Sequence, residues 1–404
     1  MNILFATQIF DPEPVMKGLL FAKELQAVEG DRVTVVTGFP NYPAGKIYDG
    51  YRIRPITREV RDGVEIIRLP LVPGHGRNPL WRIANYLSFF ASLLVWGLFA
   101  ARKYDLVYVY HPPMTVGFAA ALFSAVHRKP FILEVQDLWP ESVVASGISG
   151  AGALERGLAA MCRFVYRRAT HIVAQSHGMA DKLIERGANA SAMSVIYNWS
   201  NSEPAPLPPR SVPGDAYEFL YTGNLGIYQD LGTAIAATRI AHAADSRVRL
   251  TMIGNGAEKA RLAESLTDAD RAFIRFRDSV PQEDLLEIVA NADCLLLHLR
   301  DMPFFEFTIP SKIPFYLAMA RPVLAGIRGE AAGILRDSGA AEVVAPESPD
   351  AMARAMVALA RETPERREAR GRQGAAYYHE HLARNQAIRR TRALFVFPDG
   401  DKSR

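Results

Sequence analysis

Two cysteines, Cys162 and Cys294, are all that a chain of 404 residues carries, and they fall in different halves of it. A disulfide framework is thereby excluded and a reducing compartment is expected. Neither cysteine has a metal-ligating neighbour at useful spacing. An excess of one charge is also missing: 47 Lys and Arg against 43 Asp and Glu leave a net charge of +4, with no Lys/Arg-rich run. That balance suits anionic lipid or a pyrophosphate-bearing ligand and is too mild for a nucleic-acid binder. The N-terminus, Met1 to Thr7, lacks the basic region of a signal peptide and runs on into Asp11 and Pro12, so it reads as a buried first strand of a protein that stays inside the cell. Also absent are a Walker loop, a GxSxG elbow, an HExxH pair and a Rossmann GxGxxG. The only Asp-x-Asp, Asp268 to Asp270, sits in a charged loop pattern and reads as solvated rather than metal-binding.

What remains is globular: 49% of the residues are hydrophobic and 22% charged. The length exceeds what one core sustains, so two domains are expected. Short β-branched runs at 2–7, 32–37, 64–69, 106–110, 131–135, 171–175 and 193–197 alternate with segments of helical period. Continuously apolar strands of this kind indicate a parallel sheet covered by helices on both faces. Five prolines within 202–215 then interrupt the pattern and make a stiff linker. The alternation restarts at 218–222, 247–253, 273–277, 294–299, 322–326 and 341–344, and a charged helical tail covers 365–395. The expected organisation is α/β: a first doubly wound domain over 1–201, a linker over 202–216, a second doubly wound domain over 217–375, and C-terminal helices over 376–404 that return to the first.

One segment departs from this pattern. Residues 80–101 read LWRIANYLSFFASLLVWGLFAA, interrupted only by Arg82, Asn85 and two serines and bounded by Arg102 and Lys103. A spanning helix needs about 20 apolar residues, so the length is borderline. The early polar interruptions and a position between two strands of one sheet argue against spanning. Two readings stand: a buried or partly buried helix, or an amphipathic surface that dips into a membrane with Trp81, Phe89, Phe90, Trp96 and Phe99 as anchors.

In open α/β sheets ligands bind beyond the carboxyl ends of strands, so functional residues are sought just after strands. After the first strand, Lys17-Gly18 opens a helix, where an anion or an ordinary helix start fits equally. His111 follows the fourth strand. Glu134 to Glu141 follows the fifth and contributes three carboxylates and an indole: Asp137 suits orienting a hydroxyl, acting as a base or capping the next helix, and Trp139 suits stacking on a sugar ring. In the second half, Thr222-Gly223-Asn224-Leu225-Gly226 has glycines that let a phosphate approach the backbone closely, or simply make a tight turn. Pro310-Ser311-Lys312 offers the best-placed cation for a diphosphate. Gly329-Glu330 begins another helix, where the carboxylate serves sugar or ribose hydroxyls or complements the helix dipole.

The strings Thr37-Gly38-Phe39-Pro40-Asn41-Tyr42-Pro43, Asp137-Leu138-Trp139-Pro140-Glu141, Tyr197-Asn198-Trp199, Tyr221 to Gly226 and Pro310-Ser311-Lys312 occur in an order and spacing that resembles glycosyltransferase family 4. Within it the chain looks like the bacterial colanic-acid and O-antigen branch of the L-fucosamine-transferase type. The resemblance implies a GT-B fold, with two Rossmann-like domains facing across a cleft. It also implies a retaining transferase that takes its sugar from a nucleotide-diphosphate donor, UDP-linked and bearing an N-acetylated amino or deoxy sugar, with no cofactor and no obligatory metal. Carried over by position, Gly223, Asn224, Gly226, Ser311, Lys312 and Glu330 would bind the donor. Lys17, Gly18, Tyr42, Trp139 and Asn198 would face the acceptor, and Asp137, His111 and Lys312 would serve catalysis. The implied acceptor is a lipid-linked glycan at the inner membrane surface, with the protein cytoplasmic and peripheral. Departures are visible: Phe307 and Phe315 stand where many members carry two glutamates, Gln229 replaces a usual lysine, and Gln136 replaces a histidine before Asp137. These departures leave two other readings open, a sugar-nucleotide epimerase of the same fold or a catalytically silent nucleotide-binding scaffold.

Overall fold

The computed structural model describes residues 1–27, 30–74, 79–139, 152–200 and 215–395. The proline-rich stretch up to residue 214, and Pro140 with Glu141, lie outside them. The chain divides into two compact units, Met1–Tyr197 joined by the C-terminal residues from Ala387, and Asn198–Gln386.

The first unit is an eight-stranded sheet. Its strands are β1 (Asn2–Ala6), β2 (Arg32–Gly38), β3 (Thr57–Arg61), β4 (Val64–Leu69), β5 (Leu106–Tyr110), β6 (Phe131–Val135), β7 (His171–Ala174) and β8 (Met193–Val195). They lie in the order β3-β4-β2-β1-β5-β6-β7-β8, all parallel except for the β3–β4 pair. Every residue of β5 and β6 is buried, which explains their unbroken apolar runs. Around Phe5 on β1, Phe10, Phe21 and Tyr108 pack edge-on. The chain leaves β1 on one side toward β2 and on the other toward β5, so a topological switch point lies between β1 and β5.

The strand that the sequence pattern missed is β3, Thr-Arg-Glu-Val-Arg, whose charges give no apolar signal. It is an edge strand, where charge guards against further pairing. Asp62 and Gly63, both at positive φ (48° and 81°), form the tight two-residue turn that folds it back on β4.

The second unit is a six-stranded, wholly parallel sheet in the order β11-β10-β9-β12-β13-β14. Its strands are β9 (Tyr217–Thr222), β10 (Val248–Ile253), β11 (Ile274–Arg277), β12 (Cys294–His298), β13 (Val323–Gly326) and β14 (Ala341–Val344). Here the switch point falls between β9 and β12. Cys162 and Cys294 are both buried free thiols. Asp270 is not the solvated carboxylate expected from sequence: it is buried, and Arg239 binds it at 2.8 Å, holding its carboxyl down to about 2.

The charged tail forms the helix Pro364–Tyr377, a wide turn at Tyr378–Leu382, and the helix Arg384–Ala393. Its end belongs to the first unit: Arg392 pairs with Asp31, and the Phe395 ring lies 5.8 Å from that of Tyr108.

Residues 80–101 form most of one helix, Pro79–Ala100, long and apolar enough to cross a bilayer by length and composition alone. One face is built into the first unit. Asn85, Phe89, Leu93 and Trp96 are buried at helical spacing, and Gly97 presses so closely on the Phe123 ring that a Cβ there would meet it at 2.3 Å. Two of the expected lipid anchors, Phe89 and Trp96, are therefore core residues, and Phe90 stacks on Phe118. Trp81 and Phe99 are exposed, together with Leu80, Leu87, Val95 and Leu98. The sequence alone gave no phase for this helix because both of its faces are apolar.

Candidate functional site

The loops after β1 and β2 and the helix Pro79–Ala100 are held together by buried polar groups. Glu13 accepts backbone N–H bonds from Phe10, Asn41 and Tyr42, the last two at 2.7 Å. Burial pushes its carboxyl upward against the pull of those three bonds. Asn41 accepts from the Asn85 amide, and the Asn85 carbonyl accepts from Gln8. The Phe39-Pro40-Asn41-Tyr42-Pro43 string is thus a docked loop whose asparagine bonds to the apolar helix, with Tyr42 half-buried beside it.

After β5 and β6 come His111, Asp137 and Trp139. The His111 ring is fully buried, edge-on to Trp139 at 5.9 Å, and neither ring nitrogen has a hydrogen-bond partner among the described residues. Burial drives its pKa to about 3, so the imidazole is neutral at pH 7, with one donor and one acceptor nitrogen. Burial also pushes the Asp137 carboxyl up. Trp139 was expected as an open stacking surface, but it is buried against His111 and Tyr86 of its own unit.

Lys17 requires a correction. The helix Leu19–Ala27 does begin where expected, with Asp11 accepting the Leu19 N–H at 2.6 Å. The Lys17 ammonium, however, points into the core, fully buried on Glu134 and 3.4 Å from the Tyr108 hydroxyl. It is a structural ion pair and has no surface to offer an acceptor. Glu134, read as one of three carboxylates at a strand end, is its buried partner and also accepts from Gln136 at 2.6 Å. Gly18 has no room for a side chain, since a Cβ would lie 2.0 Å from Asp11 Oδ2.

In the second unit, the turn after β9 and Lys312 come together. Lys312 opens the helix Lys312–Ala318, next to the exposed Ser311. Its Nζ donates to the Tyr221 hydroxyl at 3.0 Å, and that hydroxyl donates to the Asn224 carbonyl at 2.6 Å. Gly223 has φ +118°, and a Cβ there would lie 2.9 Å from Lys312 Cε. Lys312 thus covers the glycine turn, and only glycine leaves it room. No carboxylate pairs with this ammonium among the described residues, and desolvation lowers its pKa to about 8.

Three amides of the turn are bonded within the unit. Gly223 N–H bonds to Ile253 O, Leu225 N–H to Asn255 O, and Gly226 N–H to Gln229 Oε1. A second glycine turn packs against it, backbone to backbone: a Cβ on Gly254 would sit 1.9 Å from Gly223 O. The Gly223 and Gly226 amides are thus bonded within the second unit, and the Lys312 ammonium lies over a closely packed backbone surface. Gln229, standing where a lysine is usual, staples the turn instead of contributing charge. Phe307 joins an aromatic group with Phe304 (5.5 Å), and Phe315 lies 5.9 Å from Tyr316. Glu330 lies in the first turn of the helix Gly329–Asp337, beyond β13. Asn198, expected on the acceptor side, is the first residue of the second unit. Tyr221, Tyr316 and His298 were missed, because a buried aromatic on a strand or helix looks like core in sequence. Tyr316 bonds to Thr222 N–H at 3.2 Å and to Leu296 O at 3.2 Å, and so ties β9 to β12.

Residues 20–199 match the family described as Glycosyl transferase 4-like domain, and residues 216–362 match Glycosyl transferases group 1. The chain belongs to the GT-B glycosyltransferases. Among solved structures, this glycosyltransferase is similar to HepE from Anabaena in complex with UDP (14% identity, 97% of this chain and 98% of that one, TM-score 0.64). It is also similar to sucrose-phosphate synthase from Thermosynechococcus elongatus (14%, 98% and 98%, TM-score 0.65). A third is WaaG, a glycosyltransferase involved in lipopolysaccharide biosynthesis (14%, 98% and 100%, TM-score 0.62). Identities this low speak for the fold alone. No curated protein sequence matches the glycosyltransferase.

Proposed function

We propose that this glycosyltransferase moves a sugar, with retention of anomeric configuration, from a UDP-sugar to a lipid-linked glycan in cell-surface polysaccharide synthesis at the cytoplasmic face of a bacterial membrane. The observation that carries the donor half is the Lys312 ammonium, half-buried, without a carboxylate partner among the described residues, and lying over Gly223 at the β9–β12 switch point. A half-buried cation with no carboxylate partner among the described residues favours an anionic ligand, and a diphosphate fits that demand. HepE has been solved with UDP and with UDP-glucose, which supports uridine as the base.

In the proposed reaction the acceptor hydroxyl oxygen bonds to the anomeric carbon on the face from which the diphosphate departs. The carbon–oxygen bond to the diphosphate breaks, and a diphosphate oxygen takes the hydroxyl proton. The protein positions the groups and stabilises charge. Lys312 meets the charge growing on the leaving group, and Asp137 orients the acceptor, while the fully buried His111 ring packs against Trp139. A thermal-shift series with UDP, GDP and ADP tests the donor, since a ligand preferring the folded state raises the melting temperature. UDP is expected to give the largest rise, and no rise with any of the three would sink the reading. Transfer from UDP-sugars to a lipid-linked acceptor separates a transferase from a silent scaffold, and release of an epimerised UDP-sugar without acceptor would identify an epimerase.

The pH profile carries a signature. With a pKa of about 8 in the free protein, Lys312 is charged below that pH and neutral above it. The kcat/KM for donor should therefore fall on the alkaline side with an apparent pKa near 8, by about tenfold per pH unit once the ammonium is lost. A bound diphosphate favours the charged form, so the limb in kcat should lie at higher pH. Lys312→Arg should abolish the limb, because a guanidinium stays charged. A limb that persists in the arginine variant assigns it to another group.

The membrane half rests on the exposed row Leu80, Trp81, Leu87, Val95, Leu98 and Phe99, with exposed Arg102 and Lys103 beyond it. Apolar side chains beside cations suit the interface of an anionic bilayer. Trp81→Ser combined with Phe99→Ser is expected to reduce sedimentation with phosphatidylglycerol-containing vesicles at least tenfold, without altering transfer to a soluble acceptor fragment. Equal sedimentation of variant and wild type would remove the helix from the membrane.

A further inference from the structure

His298 ends β12 at the switch point of the second unit, fully buried, and the mechanism above does not use it. Its ring sits on Gly326 of the neighbouring strand, where a Cβ would lie 2.4 Å from His298 Cδ2, so a larger residue at 326 would displace it. Nδ1 lies 2.9 Å from the Gln229 carbonyl, and Nε2 lies 3.1 Å from the Glu347 N–H. A carbonyl only accepts and an N–H only donates. Both bonds therefore form in one state alone, the neutral imidazole with its proton on Nδ1. Burial keeps the ring neutral although Asp230 and Glu347 are nearby.

The first of these partners holds the turn under Lys312. Gln229 is its clasp: Oε1 accepts from Gly226 N–H at 3.1 Å and from the Asn224 amide at 3.4 Å. Glu347 follows β14, and its carboxylate accepts from Asp301 N–H in the loop after β12. Arg300 N–H adds a bond to Tyr228 O at 2.9 Å. One ring thus links the loops that follow β9, β12 and β14.

We infer that His298 is a positioning residue for the donor, its Nδ1–H fixing the Gln229 clasp and hence the glycine turn on which the diphosphate rests. The inference rests on the donor reading above. Two variants separate its two bonds. His298→Asn places an amide near the Nδ1 position and keeps a donor for Gln229. His298→Gln reaches the Nε2 position and keeps an acceptor for Glu347. A buried polar bond lost from the clasp is expected to weaken UDP binding by about tenfold in the glutamine variant, with the asparagine variant within about threefold of wild type. The glutamine variant should show the loss in donor KM, with acceptor KM unchanged and kcat nearly so. Equal affinities in all three proteins, or equal losses in the two variants, overturn the inference.

UDP titration of the wild type is the control: absence of binding there overturns the donor reading and this inference with it. Nitrogen-15 spectroscopy of the His298 ring in the full-length wild type supplies a test that needs no variant to fold. A neutral Nδ1–H tautomer is expected, and an Nε2–H or doubly protonated ring overturns the proposal.

Discussion

Lys312→Ala is expected to lower kcat/KM for the nucleotide sugar by about 10²–10³-fold, the usual cost of losing one charge-stabilising donor from a dry site, while the melting temperature stays level or rises. The two halves of this expectation have one cause. The half-buried ammonium lies over the Tyr221 ring, 4.8 Å from its centroid, with a single hydroxyl bond and no carboxylate partner among the described residues. Its lowered pKa means that the folded chain disfavours its charge, so in the absence of ligand the charge is a burden to the fold. That burden is relieved when a diphosphate arrives, and the attraction grows as the leaving group gains charge, so the loss should fall on kcat as well as on KM. Lys312→Met, which keeps the stem over Gly223 and removes the charge, should behave like the alanine variant in turnover and melt no lower than wild type. Near-normal turnover in either variant would refute the role. A collapse of the melting temperature together with activity would make Lys312 a structural residue.

How far the sequence foretold this site depends on what each signal measures. Periodicity placed the parallel strands because a strand buried on both faces must be apolar throughout, and it failed at β3 because an edge strand need not be. Glycine and lysine in the strings around 223 and 312 were legible for a local reason: a turn at positive φ and a cation opening a helix are written in neighbouring residues. Partnership was not legible. Lys17 and Glu134 are 117 positions apart, and nothing in either neighbourhood says that the lysine turns inward, so it read as a surface cation at a helix start. Trp139 and His111 were found at strand ends, but whether an indole is open or packed depends on Tyr86, which comes from a different helix. The inward bonds of the 223–226 turn amides follow from Gln229, which in sequence looked only like a departure, and from the backbone at Ile253 and Asn255, which carried no signal.

The Lys17–Glu134 pair carries the largest expected stability effect. Lys17→Met should cost about 3–5 kcal/mol in urea denaturation, because it leaves a carboxylate fully buried without its cation. The remaining partners, Tyr108 and Gln136, each donate one bond and bring no positive charge. Lys17→Met combined with Glu134→Gln should recover most of that loss. The amide oxygen can still accept from Tyr108 or Gln136, and no charge is left to solvate, so the two substitutions should be strongly non-additive. The network also reaches the loop carrying Asp137. Glu134 O accepts from His111 N–H at 3.0 Å, and the Gln136 carbonyl accepts from Gln175 at 2.6 Å. The single variant should therefore raise the acceptor KM even where the protein remains folded, and leave UDP affinity untouched, since donor and acceptor groups belong to separate units. A cost below about 1 kcal/mol for Lys17→Met, or a double variant as unstable as the sum of the singles, would mean that the pair is solvated and that Lys17 reaches the surface after all.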